Sequence, residues 1–175
     1  MKANRCIISG TRLENLPFGC NEDSRECQNF KNNLLNTIIK LMNKGVDEFY
    51  TDCTYGVPLW GGEIVTGLMI YNDIRLYVVF PHENQPYKYT QNWQDRFYKV
   101  HELCTDVILM YLEQDIEGNR KFLKEDENLY KKAADYMLAD CGRLLFCGEP
   151  HNNYIYEKAL EKNYDITIIS GGTDK

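Results

Sequence analysis

The sequence predicts an α/β fold: a mainly parallel sheet of about six strands with helices on both faces. Three observations carry this. Strand-length apolar runs alternate with segments of helical period along the whole chain. The connections between them are short, which calls for right-handed crossovers between parallel strands. The clearest run, Ile74 to Phe80, holds Leu76, Tyr77, Val78, Val79 and Phe80 almost unbroken, as a strand covered on both faces does. An alternation of this kind is Rossmann-like.

Taken in order, Arg5 to Ser9 is a short apolar run that stops at Gly10 and reads as a buried strand. A turn-rich stretch from Gly10 to Asp23 follows. Cys27, Phe30, Leu34, Ile38, Leu41 and Met42 then recur at steps of three and four, marking an amphipathic helix with Gly45 as its left-handed cap. Val46 to Thr51 is the second strand. Asp52 to Pro58 reads as a turn feeding a helix that has Pro58 in its first turn and Leu59, Trp60, Ile64 and Leu68 on one side. After the strand at Ile74 to Phe80 come a polar loop to Thr90 and a short helix marked by Trp93, Phe97, Val100 and Cys104. Val107 to Leu112 reads as a strand and Glu113 to Lys124 as irregular chain. Leu129 to Met137 is helical, Leu144 to Cys147 a strand, Ile155 to Leu160 a helix and Ile166 to Ile169 the last strand.

A chain of 175 residues is long enough to bury about two-thirds of its unfolded surface in one core. No repeat or linker divides it, so a single domain over residues 1–175 is expected. The net charge of −6 and the absence of a basic stripe argue against a nucleic-acid partner. Helix N-termini still hold phosphates in an acidic protein. The seven cysteines include no C-x-x-C pair, and none of the three histidines stands beside a cysteine pair. Reduced thiols in a cytoplasmic setting, with no metal site, are the reading. No run approaches the roughly 18 apolar residues of a membrane span, and Met1 to Arg5 does not open a signal peptide. A membrane partner is therefore not expected.

Ligands of open parallel sheets bind outside the carboxyl ends of the strands. Four loops qualify: Ser9 to Arg12, Asp52 to Gly62, Pro81 to Gln85, and Gly148 to Asn153. In the second, Gly56, Gly61 and Gly62 surround a helix start, where backbone N–H groups can cradle an anion. The same glycines equally suit tight packing of helix on strand. Neither the G-x-G-x-x-G fingerprint nor a Walker A pattern is present. Arg12 stands where a guanidinium can reach a phosphate or form a surface ion pair. Glu63 can accept from ribose hydroxyls, or can simply complement the helix dipole. Trp60 and Trp93 suit the core as well as stacking. No nucleophile and base stand at readable spacing, so no catalytic residue is assigned. Asp52 beside Cys53 should raise a thiol pKa, which argues against thiol chemistry.

Taken together, the loops are similar to a known group. Ser9-Gly10-Thr11-Arg12 followed by Leu16-Pro17-Phe18-Gly19 resembles the "TGxRP…LPFG" opening of the YpsA-like branch of the SLOG superfamily. Gly56-Val57-Pro58-Leu59-Trp60-Gly61-Gly62-Glu63 looks like its "GVDLWAAE". Pro81-His82-Glu83-Asn84-Gln85 resembles its "P-x-E-x-Q", with Trp93 and Arg96 as the downstream "W…R", and Tyr136-Met137 fits its "[WY]M". The resemblance implies a Rossmann-like fold and a nucleotide or nucleotide-derived ligand. Its ligand-binding residues would be Ser9, Gly10, Thr11, Arg12, Asp52, Cys53, Gly56, Trp60, Gly62, Glu63, Glu83 and Gln85. No cofactor is implied. Homodimers are common in the superfamily, and nothing in the sequence excludes one.

The chain also departs from the pattern. The family's glycine after the second strand falls at Cys53, the acid of "GVD" at Pro58, and the "RN" before "[WY]M" at Ala133-Ala134. The "GGT" phosphate loop is replaced by Pro150-His151-Asn152, and Gly171-Gly172-Thr173 comes too late to supply it. The favoured reading is a non-catalytic domain that senses or sequesters a nucleotide-like molecule. The alternatives are a phosphoribohydrolase-like N-glycosidase using Glu149 or Glu157, and an interaction module with a vestigial pocket.

Overall fold

A computed structural model describes residues 2–114, 118–124 and 126–170. Its main sheet has six strands: β1 (Lys2–Gly10), β2 (Glu48–Thr51), β3 (Arg75–Phe80), β4 (Asp106–Leu109), β7 (Cys141–Cys147) and β8 (Asp165–Ile169). A separate antiparallel hairpin pairs β5 (Leu112–Gln114) with β6 (Arg120–Phe122). The helices are α1 (Arg25–Asn43), α2 (Val57–Leu68), α3 (Gln91–Leu103), α4 (Glu127–Asp140) and α5 (Tyr154–Glu161). The sheet runs β4-β3-β2-β1-β7-β8, and every neighbouring pair is parallel.

Local chemistry sets the helix limits. The Ser24 hydroxyl accepts from the Cys27 N–H at the start of α1, and Gly45 beyond its end has φ +88°, conformations that serine and glycine respectively favour. Asp126 and Asn153 cap α4 and α5 through their side chains. Pro58 falls in the first turn of α2, where its missing N–H costs nothing.

Side-chain alternation then sorts the helices between the faces. Ile8, Phe49, Leu76 and Val78 pack with Phe30, Leu34 and Ile38 of α1, Leu59 and Val65 of α2, and Phe97 and Val100 of α3. Ile7, Tyr50 and Val79 point the other way, onto Ala133, Met137 and Leu138 of α4 and Ile155 and Ala159 of α5. The "RN" positions of the family thus hold small residues in this second core. The strand order places the topological switch between β1 and β7, with β2 leaving on one side and β7 entering on the other.

One segment differs from expectation. The strand read at Val107 to Leu112 ends at Leu109, and the stretch read as irregular carries the hairpin. Tyr111 turns inward against Phe80 and His82, at 5.8 and 5.5 Å between ring centres, and its carbonyl accepts from the Leu123 N–H at 2.8 Å. Arg120, Lys121 and Phe122 are all exposed, so β6 shows no apolar–polar alternation to read. The Gly171-Gly172-Thr173 segment lies outside the described residues. Among the described residues, no helix is long and apolar enough to cross a membrane.

Candidate functional site

The switch point itself is closed. From Cys6 onward β1 and β7 stay in register to their carboxyl ends, with Gly10 opposite Cys147, and the Thr11 N–H donates to the Cys147 carbonyl at 2.9 Å. A Cβ on Gly10 would lie 2.7 Å from that carbonyl oxygen, and one on Gly148 would lie 2.3 Å from Thr11 Cγ2. The loops after the two strands therefore touch backbone to side chain, and Ser9, Gly10 and Thr11 face β7 across this contact. Arg12 is exposed, close enough to Glu14 to help hold that carboxyl below its ordinary pKa, behind the hydrogen bonds from the Glu14 backbone and Tyr55.

The start of α2 is buried from Gly56 to Gly62, and Leu13 lies 3.2 Å from a Cβ placed on Gly56. Gly56 has φ +95° and Cys53 φ +51°. The position where the family carries glycine is thus a left-handed one, which explains glycine there and strains cysteine here. The Thr51 hydroxyl donates to the Pro58 carbonyl at 3.0 Å and accepts from the Cys53 N–H at 3.2 Å, fastening the turn. Gly61 and Gly62 face inward. Their Cβ atoms would stand 2.6 Å from Ile8 Cγ2 and 2.9 Å from Val100 Cγ1, so both permit close packing of α2 on the sheet and on α3. Burial, reinforced by the Asp52 charge, pushes the Cys53 thiol well above its ordinary pKa.

Two side-chain centres lie next to these turns. In the first, Gln85 reaches from the loop after β3 to the end of β2, its Nε2 donating to the Asp52 carbonyl at 2.9 Å and to the Tyr89 hydroxyl at 3.0 Å. Gln85 is 2% exposed and its Oε1 has no partner among the described residues. Residue 52 keeps part of its surface in solvent, while its carboxyl is packed round by protein. That burial raises its pKa above the ordinary value, against hydrogen bonds from Thr54 and the Asp52 backbone. The Thr54 N–H bond is 2.9 Å. Tyr55, Tyr89 and Trp93 form an aromatic wall, with ring centres 5.4 Å apart for the tyrosine pair and 5.8 Å for Tyr55 and Trp93. Glu83 is exposed. His82 is buried; its Nδ1 accepts from the Asn84 N–H at 3.1 Å, which leaves Nε2 to donate to the Leu123 carbonyl at 3.1 Å.

The second centre joins the two halves of the family pattern. Arg96 grips both oxygens of Glu63, at 2.6 and 2.7 Å, and donates to Glu22 at 2.7 Å. Glu22 also accepts from the Trp60 indole N–H at 2.9 Å and from Lys31. The guanidinium lies 4.2 Å from the Trp93 ring centre, and Lys31 lies 4.6 Å from that of Trp60. Two carboxylates and two cations balance. Burial works against the Glu22 charge, but the bonds from Lys31 and Arg96 outweigh it and hold its pKa below the ordinary value. Trp60 is 1% exposed, a core residue. The hollow beside it, between α1 and α2, measures about 250 Å³, below the roughly 300 Å³ at which ligand pockets begin.

The structure thus unites Asp52 with Gln85, while Glu63 and Trp60 join the ion-pair centre. Tyr55, Tyr89, Glu22 and Lys31 were not singled out by sequence. Tyr55 sits inside a loop that was, and Tyr89 follows Gln85 by four residues, but one tyrosine among thirteen carries no signal of its own. Among the described residues, no group of three or more His, Cys, Asp or Glu is placed to hold a metal ion. Glu149 and Glu157, needed by the glycosidase alternative, are both exposed.

A parallel six-stranded sheet with helices on both faces, and with polar groups gathered at its carboxyl edge, defines a Rossmann-like α/β protein. The family model described as the YspA SLOG family matches residues 6–171, and the chain belongs to that family. No curated protein matches it at a significant level.

Proposed function

We propose that the protein binds a nucleotide or nucleotide-derived small molecule without transforming it, in a sensing or sequestering role. The observation that supports this reading is Asp52. It is a packed carboxylate at the carboxyl end of a central strand, with no ion-pair partner among the described residues, beside the aromatic wall of Tyr55, Tyr89 and Trp93. A carboxylate so placed is stabilised when a ligand brings hydrogen-bond donors to it, and aromatic faces favour a flat base. Arg12, exposed on the neighbouring loop, supplies the positive charge that a phosphate needs. Gly10, Thr11, Cys53 and Gly56 shape the turns around this edge, with Ser9 near the end of β1 and Gly62 packing α2 against α3 behind it. Trp60 and Glu63 act from behind, by fixing α2 to α3. Glu83 stands at the outer rim.

The test is a ligand panel of nucleoside monophosphates, dinucleotides, ADP-ribose and cyclic dinucleotides, read by thermal shift and then calorimetry. At least one should raise the melting temperature and bind stoichiometrically, with Arg12→Ala weakening every phosphorylated ligand. A folded sample that binds none of them refutes the reading.

A further inference from the structure

Gln85 carries information beyond the general reading. Both hydrogens of its Nε2 are committed, one to the Asp52 carbonyl and one to the Tyr89 hydroxyl. Turning the amide over would set Oε1 against the Asp52 carbonyl, acceptor against acceptor, so the orientation is fixed by chemistry. Oε1 is then a buried acceptor with no donor among the described residues, a condition that costs folding free energy if nothing fills it. The Asp52 carboxylate belongs to the residue that the amide holds, and it too has no cation among the described residues. The carboxylate accepts from the Thr54 N–H at 2.9 Å; its remaining acceptor capacity and Oε1, on two residues joined by a hydrogen bond with the tyrosine wall alongside, define what the missing group must offer.

We propose that the Asp52–Gln85 centre binds a pair of adjacent hydrogen-bond donors on the ligand. Within the nucleotide reading on which this rests, two groups present such a pair: the N1–H and 2-amino edge of guanine, and the 2′,3′-diol of ribose. An adenine edge does not, because its amine adjoins a lone-pair nitrogen that would oppose a carboxylate.

Calorimetry with five ligands separates the sources: guanosine, inosine and adenosine 5′-monophosphates, and the 2′-deoxy forms of the guanosine and adenosine compounds. If guanine supplies the donors, the inosine compound binds at least about tenfold more weakly than the guanosine one, and 2′-deoxyguanosine monophosphate stays within about threefold. If ribose supplies them, both deoxy compounds lose at least about tenfold and the inosine compound does not. A loss in either arm supports the proposal and names the source. The near-isosteric Asp52→Asn variant, with its fold checked by circular dichroism, should shrink that discrimination to less than about threefold, because an amide no longer accepts at both oxygens. Nucleotides that bind with all five affinities within about threefold would overturn the paired-donor proposal and leave the nucleotide reading standing. So would discrimination that survives Asp52→Asn unchanged, or saturation of the centre by magnesium or calcium ions alone. Failure of every nucleotide to bind overturns both. The comparison among ligands uses the unmodified protein, so a variant that misfolds does not blunt the test.

Discussion

Arg96→Met would remove one cation from between two carboxylates and leave Glu22 and Glu63 facing each other. The magnitude follows from the geometry. Arg96 and Glu22 side chains are each 21% exposed and Glu63 is 32% exposed, so the pairs are neither solvated nor sealed. Each attraction is worth about 4 kcal/mol gross at an effective dielectric constant near 20, and desolvation cancels much of it. Breaking fully buried pairs costs about 3–5 kcal/mol and exposed ones about 0–1 kcal/mol. The intermediate burial, and the repulsion left behind, put Arg96→Met at about 3 kcal/mol, while Glu63→Gln, which keeps one acceptor, falls at about 1.5 kcal/mol. In a chain of this length that is a fall of about 6–12 °C in melting temperature for Arg96→Met. The double variant should lose at least about 1 kcal/mol less than the sum of the singles. Urea unfolding of the four proteins measures all of this. The pH sign is also set: Glu22 has a depressed folded pKa, so its contribution is present above its unfolded value and lost as pH falls through the folded one. Arg96→Met should flatten that acid-side loss. A cost below about 1 kcal/mol with strictly additive singles would show the centre to be an ordinary solvated ion pair.

Two further outcomes are expected. Gly61→Ala should destabilise by about 1–3 kcal/mol, since its Cβ would meet Ile8 Cγ2 at 2.6 Å. Gly67→Ala in the same helix, with nothing within 4 Å, should stabilise by about 0.5–1 kcal/mol; denaturation midpoints of the pair check the contrast, and equal effects would contradict the packing account. Asp52→Asn should raise the melting temperature at neutral pH, because the folded protein carries the Asp52 charge at a cost. Its folded pKa is raised, so the cost is full above that value and vanishes below the unfolded pKa. The gain should therefore shrink as the pH is lowered toward 4; a gain that is constant with pH would assign the effect to something other than ionisation.

Legibility differed between fold and site for identifiable reasons. Leu76 to Phe80 announces a covered strand because burial on both faces leaves apolar and aromatic residues in an unbroken run, and Gly45 announces a helix end because its φ of +88° favours glycine. The β5–β6 hairpin gave no such signal, since its exposed residues need no apolar period and one inward tyrosine anchors it. Gly56, Gly61 and Gly62 looked alike in sequence. Only coordinates separated the first, with its left-handed backbone, from the other two, which make room for Ile8 and Val100.

By itself, the sequence determined the alternation of the six main-sheet strands with five helices, and pointed to the family, because apolar period and turn residues are local properties of the chain; which face each helix covers came from the packing. Tertiary structure alone decided the partnerships. Asp52 meets Gln85 and Glu63 meets Arg96, each across 33 residues, and Gly10 and Gly148 close the switch point between β1 and β7. Those meetings depend on crossover hand, strand register and the depth to which each helix sinks onto the sheet, and none of these is written in any single segment.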